Sequence, residues 1–376
     1  MGLPSTQKSK TETTIPNPSI MKRSISYLFL AAASLCGLAS AQTTAYTTPV
    51  GYTSVTCLAA SDTIVSLPLR KSVTAAGALA SNPSGSVLTI ASAAYTDNQF
   101  AATHYVKFST GPAAGKWYTI TSNTATTLTI NLNGDTLNAV GTNELEVIKF
   151  WTLAELIDPA TCTSDPTTTP NAVVASSSTL GTGRKTELLI PNLVATGVNI
   201  APNVTYYVHA GIWKLSGPNT ASNNVQLWPD TYFIIRNPAM AASTKYVCAG
   251  EVDTKAFAIS LGTQTGIKQD NFQGMPRPVD VTLNQLGLGG TPAFMSSTSQ
   301  LGTGQRDVLL LFDNTSAKKN KAPVYTYYFH AGIWKKTDTG ATDKGNDVIP
   351  AGSGFIIRKY QSGTGATETW TNPAPY

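Results

Sequence analysis

The decapeptide Thr205-Tyr-Tyr-Val-His-Ala-Gly-Ile-Trp-Lys214 returns as Thr326-Tyr-Tyr-Phe-His-Ala-Gly-Ile-Trp-Lys335 with a single Val-to-Phe change. A match of that length within one chain marks an internal duplication and limits the fold to two related units. The match extends outward. Leu180-Gly-Thr-Gly-Arg184 and Leu301-Gly-Thr-Gly-Gln305 stand at the same 121-residue spacing as His209 and His330. Each leads into an apolar run, Leu188–Ile190 or Val308–Phe312, and downstream Tyr232-Phe-Ile-Ile-Arg236 matches Gly354-Phe-Ile-Ile-Arg358. Upstream, Thr63–Leu67 aligns with Phe257–Leu261 at a wider spacing, which implies roughly 70 extra residues in the first copy, within Ala80–Phe150.

The repeated runs are short, rich in Val, Ile, Tyr and Phe, and bounded by Gly, Asn, Pro and Thr, which is strand chemistry. No longer window keeps a helical period. One helical turn is expected after Thr152 and again after Thr282, where the threonine caps. The expected fold is all-β. Two duplicated sandwich-like or barrel-like lobes span 42–238 and 246–376, joined by a hinge at Ala239–Lys245. A small meander or barrel is inserted in the first lobe at about 80–150. Within the insert, Thr127-Leu-Thr-Ile-Asn-Leu132 alternates strictly, and Asn133-Gly134 reads as a hairpin turn.

Residues 1–41 read as a polar extension followed by a signal peptide at about 21–41. Met21-Lys-Arg23 precedes the apolar stretch Leu28–Leu38, and Ala39-Ser-Ala41 forms a small-residue cleavage site. The expected location is therefore secreted, periplasmic or cell-surface. The apolar stretch is shorter than the roughly 20 residues a spanning helix needs, and no later segment is apolar enough, so no membrane span is expected after cleavage. Net charge falls from +5 to near +2 once the leader is removed, with no basic cluster, which argues against a nucleic-acid partner. Charged residues make up only 12% of the chain, and Thr, Ser, Asn and Gly replace them on its surface.

His209 and His330 each stand alone, without a repeated Cys, His or carboxylate nearby. They read as hydrogen-bonded structural residues at strand ends rather than as bases or metal ligands. Trp213 and Trp334 read as core anchors, with the preceding glycine permitting a bulge or close approach. Among Cys57, Cys162 and Cys248, one bridge is possible, Cys57–Cys162, against three buried thiols. The Gly-Thr-Gly turns lack the third glycine and the lysine of a phosphate loop. No catalytic residue, cofactor or metal site emerges. Trp117, Tyr118 and Tyr105 of the insert are the candidate ligand contacts.

The segments Tyr105–Ile130, Phe150-Trp-Thr-Leu153, Thr48-Pro-Val-Gly-Tyr52 and Ser61–Leu69 resemble the Verrucomicrobium-type paralogous family of secreted proteins of unknown function. The resemblance implies a bacterial exported protein with many paralogues and carries no catalytic or binding residues with it. The expected function is an exported, non-enzymatic structural or adhesive component that acts on itself by assembly or on surface glycans. The alternatives are a carbohydrate-binding module using the insert's aromatics and an enzyme on extracellular polysaccharide.

Overall fold

The computed structural model describes residues 47–376 except Ala341, together with the isolated Gly2. The signal peptide and polar extension lie outside the described residues, apart from Gly2. Thr48–Tyr376 form one unit, to which everything below refers.

Among the described residues, strand is nearly the only regular secondary structure. In the first lobe the elements are β1 (Val50–Cys57), β2 (Asp62–Val65), an insert of β3 (Val73–Ala78), β4 (Val87–Thr89), β5 (His104–Phe108), β6 (Trp117–Asn123), β7 (Thr127–Ile130) and β8 (Glu144–Lys149), and then β9 (Trp151–Thr152), a helical turn α1 (Leu153–Leu156), β10 (Glu187–Ile190), β11 (Val204–His209), β12 (Ile212–Leu215), β13 (Gln226–Leu227), β14 (Phe233–Arg236) and β15 (Thr244–Glu251). The second lobe repeats this order without the insert: β16 (Phe257–Gly262), β17 (Gln269–Gly274), β18 (Val281–Thr282), a 3-10 turn at Asn284–Leu286, β19 (Val308–Leu311), β20 (Tyr325–His330), β21 (Ile333–Lys336), β22 (Val348–Ile349), β23 (Gly354–Lys359) and β24 (Thr367–Asn372).

The pairing is the same in both. A five-stranded antiparallel sheet runs β12-β11-β10-β14-β2 in one lobe and β21-β20-β19-β23-β17 in the other. Two small pairs complete each lobe, β1 with β15 and β9 with β13, matched by β16 with β24 and β18 with β22. Both turns after the short strands carry a reciprocal cap. The Glu155 amide donates to Thr152 Oγ1 (3.3 Å), which itself donates to the Glu155 carboxylate. The Gln285 amide donates to Thr282 Oγ1, while Gln285 accepts from the Thr282 amide (2.9 Å).

Two expectations need correcting. Thr63–Leu67 does not correspond to Phe257–Leu261. The register sets Asp62–Val65 against Phe233–Arg236 as Asp270–Gln273 lie against Phe355–Arg358, so β2 answers to β17, and β1 answers to β16. Thr244–Glu251 pairs along its full length with β1. It thus closes the first lobe, and the passage between lobes falls at Val252–Ala256, not at Ala239–Lys245. Local likeness between apolar pentapeptides misled here, because strand pairing across 200 residues leaves no periodic trace.

The central sheets are buried on both faces. Phe233 and Ile235 of β14 enter the first lobe's own core with Trp213 and Tyr246, whereas Ile234 between them faces the other lobe. Leu309 and Leu311 of β19 likewise enter the second core with Trp334 and Trp370, while Val308 and Leu310 face back. Alternation of side chains along a strand makes this division. It also explains why Val308-Leu-Leu-Leu311 reads as an unbroken apolar run.

The lobes meet about an approximate two-fold axis, and the contact is reciprocal in the manner of an isologous dimer. The Asp62 amide donates to Lys318 O and the Asp270 amide to Gly197 O; the Ser66 amide donates to Gly352 O and the Gly274 amide to Asp230 O. Arg236 grips Asp62 through Nε and Nη2 (both 2.7 Å), and Nη2 also reaches Asn320 of the other lobe. Arg358 grips Asp270 and reaches Asn199 in the same way. The asparagines' own amides return the bond to the carboxylates, each at 2.7 Å. Gly354 stands where the first lobe has Tyr232, and a Cβ there would lie 2.4 Å from that tyrosine's Cβ.

The insert begins one strand earlier than expected, with β3. Its sheet runs β3-β8-β5-β6-β7-β4, and the ends meet through the Leu79–Ile90 bridge, closing a six-stranded barrel. Val106, Phe108, Ile120, Leu128 and Val147 fill it. The barrel is wedged against both lobes. Ala258 donates to Gly115 O (2.9 Å), Lys107 pairs with Asp253 in full burial, and Glu146 accepts from Arg70 (2.5 Å) and Lys255 (2.8 Å). Among the described residues, no helix is long and apolar enough to cross a membrane.

Candidate binding cleft

A cleft of about 430 Å³ opens where barrel, first lobe and second lobe converge. Its first wall is the turn Trp228-Pro-Asp-Thr231, which links β13 to β14. Its second is β17, with the half-buried Asn271 and the buried Gln273, and its third is the barrel rim, with Trp117 and Asp135.

Each wall is aimed by local sequence. Trp117 leaves β6 on the outside of the barrel and packs edge-to-face on Tyr105 (5.6 Å between centroids) and Phe150 (6.1 Å). Its indole N–H donates to Asp230 Oδ2 (3.2 Å), and its ring meets Trp228 edge-on at 5.6 Å. Trp228 is 43% exposed, a large apolar surface left open to solvent beside polar groups. Asp230 also accepts from Thr231 Oγ1 (3.1 Å). Burial pushes the Asp230 carboxyl up to about 6 despite these donors. Gln273 is 5% exposed, and its Oε1, shut off from solvent, has no hydrogen-bond partner among the described residues. A buried acceptor left unmatched costs free energy.

Asn133 and Gly134 hold left-handed conformations (φ 50° and 83°) in a turn closed by Asp135 N donating to Leu132 O. This is a tight turn at the start of a loop, not the expected hairpin connection, since β8 begins only at Glu144. It delivers Asp135 to the cleft, where Oδ2 accepts from Lys116 (2.8 Å) and Tyr118 (2.7 Å) and Oδ1 accepts from the Thr136 amide (2.7 Å). Partial burial opposes ionisation, but these donors hold the Asp135 carboxyl below its usual range.

The three insert aromatics expected to touch ligand divide. Tyr105 is buried behind Trp117, 3% exposed, and cannot reach the cleft's contents. Tyr118 belongs to the barrel core and only its hydroxyl side borders the cleft. Trp117 lines the cleft as a support for Asp230 and Trp228. The sequence reading missed Trp228, Asp230 and Gln273 because they do not recur: the second lobe has Pro350 and Gly352 at the first two positions, and the first lobe has Val65 at the third. Divergence between copies was the available signal.

The repeated motif residues lie elsewhere. His209 Nδ1–H donates to Ser176 O (2.9 Å) and His330 Nδ1–H to Ser297 O (2.8 Å), each at the end of its strand. Trp213 and Trp334 are buried in their cores, and Trp213 Nε1 donates to Ile157 O. Ala210-Gly211 and Ala331-Gly332 have positive φ at all four residues and form two-residue hairpin turns, not bulges. The Cys57–Cys162 bridge is not formed; Cys57, Cys162 and Cys248 are free thiols. Cys57 faces the core, and burial pushes its thiol up to about 12, whereas Cys162 turns its Sγ to Asp158 O (3.5 Å). Among the described residues, no three His, Cys, Asp or Glu side chains gather closely enough to hold a metal ion.

No family model matches the chain, and no curated protein or solved structure matches it.

Proposed function

We propose that this is an exported, non-enzymatic adhesive protein that holds a glycan strand in the cleft between the barrel and the two lobes. The carrying observation is the half-exposed indole of Trp228 in one open cleft whose other lining is rich in polar side chains, among them Asn131, Asp230, Gln264 and Asn271. A sugar ring offers a C–H-rich face to an aromatic surface and hydroxyls at its edge to polar groups, which suits such a lining. Export rests on the leader at Met21–Ala41, and the paucity of charge fits a protein that works outside the cell.

Two carboxyls with opposite shifts in one cleft also bring a hydrolase to mind. The bonding of Asp135 argues for binding instead. Three donors from its own barrel, two on Oδ2 and one on Oδ1, stabilise the carboxylate and make it a weak base and a weak nucleophile.

The test is a glycan array probed with the mature chain and with Trp228→Ala. The expected outcome is retention on a defined set of oligosaccharides and a loss of about tenfold or more for the variant, the equivalent of ~1.4 kcal/mol. Equal retention of both proteins, or retention of neither, would discard this function. Turnover of a retained oligosaccharide would replace it with the hydrolase.

A further inference from the structure

A second cavity, of about 480 Å³, lies between the two central sheets near the approximate two-fold axis. Its walls are Ile64 and Ile234 from the first lobe and Phe272, Phe312 and Ile356 from the second. Ile64 is the counterpart of Phe272, and Ile234 of Ile356. The space opens to solvent at a polar rim and has an apolar floor, a form that takes up molecules with an apolar body and a polar end. Its volume lies within the roughly 300–1,000 Å³ of small-molecule sites.

The polar groups at its two ends are already matched. Asp62, Arg236 and Asn320 satisfy one another at one, and Asp270, Arg358 and Asn199 at the other. Among the lining positions that differ between the lobes, one differs in charge: Ile200 in the first lobe is Lys321 in the second. Lys321 Nζ donates to the Asp313 carbonyl (2.7 Å) and makes no ion pair among the described residues. The Asp62 carboxylate is committed to Arg236, and that of Asp313 to Thr315 and Ser316. The cavity therefore offers an apolar floor under a polar rim, where Arg236 and Arg358 are paired with aspartates and the Lys321 ammonium makes no ion pair among the described residues.

We propose that this cavity binds an amphipathic monoanion, an unbranched fatty-acid carboxylate, with its head group on Lys321 and its chain along Ile64, Ile234, Phe272 and Ile356. The site shares only Phe272 with the glycan cleft's lining and does not depend on glycan binding. Burial of successive methylenes raises affinity about fourfold each until the cavity is full.

The experiment is calorimetric titration of the mature chain with dodecanoate and with dodecanol. The expected result is one dodecanoate per chain. Lys321→Ile, which installs the first lobe's residue, weakens dodecanoate about tenfold or more and leaves dodecanol unchanged. Ile356→Trp fills the cavity and removes both ligands. Should that variant not fold, Ile64→Phe copies a side chain the other lobe already carries and tests the same volume. Absence of saturable dodecanoate binding, equal dodecanoate affinity in wild type and Lys321→Ile, or unchanged binding in a folded cavity-filled variant would each overturn the assignment.

Discussion

Two crossings in this molecule share a backbone and differ in what they carry. At one, the Gly274 amide of β17 donates to Asp230 O in the turn Trp228-Pro-Asp-Thr231 (2.8 Å). At the other, the Ser66 amide that follows β2 donates to Gly352 O in the turn Pro350-Ala-Gly-Ser353 (2.9 Å). The hydrogen bonds that join the lobes have been kept in both. The first crossing bears an open indole, a half-buried carboxyl and, in Gln273, a polar amide; the second bears proline, glycine and, in Val65, an apolar side chain. The barrel stands only beside the first. The difference teaches that repetition in this chain marks packing, and that the candidate chemistry sits where the copies disagree.

The largest test of the comparison concerns what the crossings share. Asp62→Ala and Asp270→Ala each strip a bidentate arginine and a backbone amide of their acceptor. Breaking a buried ion pair costs ~3–5 kcal/mol. Because both arginines retain some access to solvent, about 3 kcal/mol is expected from each in urea denaturation. A loss at one position and none at the other would end the claim of equivalence. Next in size is an exchange of what differs. Trp228→Pro combined with Asp230→Gly gives the first turn the second turn's residues at the two positions that line the cleft, and glycan affinity should fall about tenfold or more (~1.4 kcal/mol) with little change in melting temperature. If a protein so altered bound as before, the asymmetry would have no bearing on recognition.

A smaller effect is expected from the hairpin turns. Ala210 and Ala331 hold left-handed conformations (φ 52° at both) that cost alanine ~1–2 kcal/mol, and asparagine is the favoured first residue of such a turn. Ala210→Asn and Ala331→Asn should each stabilise by about 0.5–1 kcal/mol, equally in the two lobes. The smallest effect lies in pH. Asp230 has its folded pKa raised by burial to about 6, above the unfolded value, so its ionisation opposes folding above pH 6, and that penalty lifts as pH falls toward 4. Asp230→Asn should therefore be the more stable protein at pH 7 by under ~1 kcal/mol, since the carboxyl borders solvent, and should match wild type at pH 4. A gap that widened on acidification would show that the carboxylate is stabilised by its surroundings.

Much of the architecture was legible from residues alone. The repeated decapeptide located β11–β12 and β20–β21, the strict alternation at Thr127–Leu132 located β7, and Thr152 and Thr282 announced their capped turns. What was hidden involved distant pairing. Nothing in Val50–Cys57 reveals that Thr244–Glu251 will lie beside it, so the boundary between lobes was set too early. The cleft was hidden for another reason. Trp117 attracted notice as one of a cluster of aromatics, yet its indole is committed to Asp230 and its neighbours, and the open ring belongs to Trp228, an isolated residue that a search for recurrence passes over.

A pair of identical subunits obeys a rule that this chain escapes. In such a pair every substitution appears twice, so a wedge such as the barrel would have to be accommodated at both crossings or at neither. Covalent linkage of the halves removes that restriction. The clamps Asp62–Arg236–Asn320 and Asp270–Arg358–Asn199 still bind the halves as equals, while one half is free to specialise and the other to remain plain.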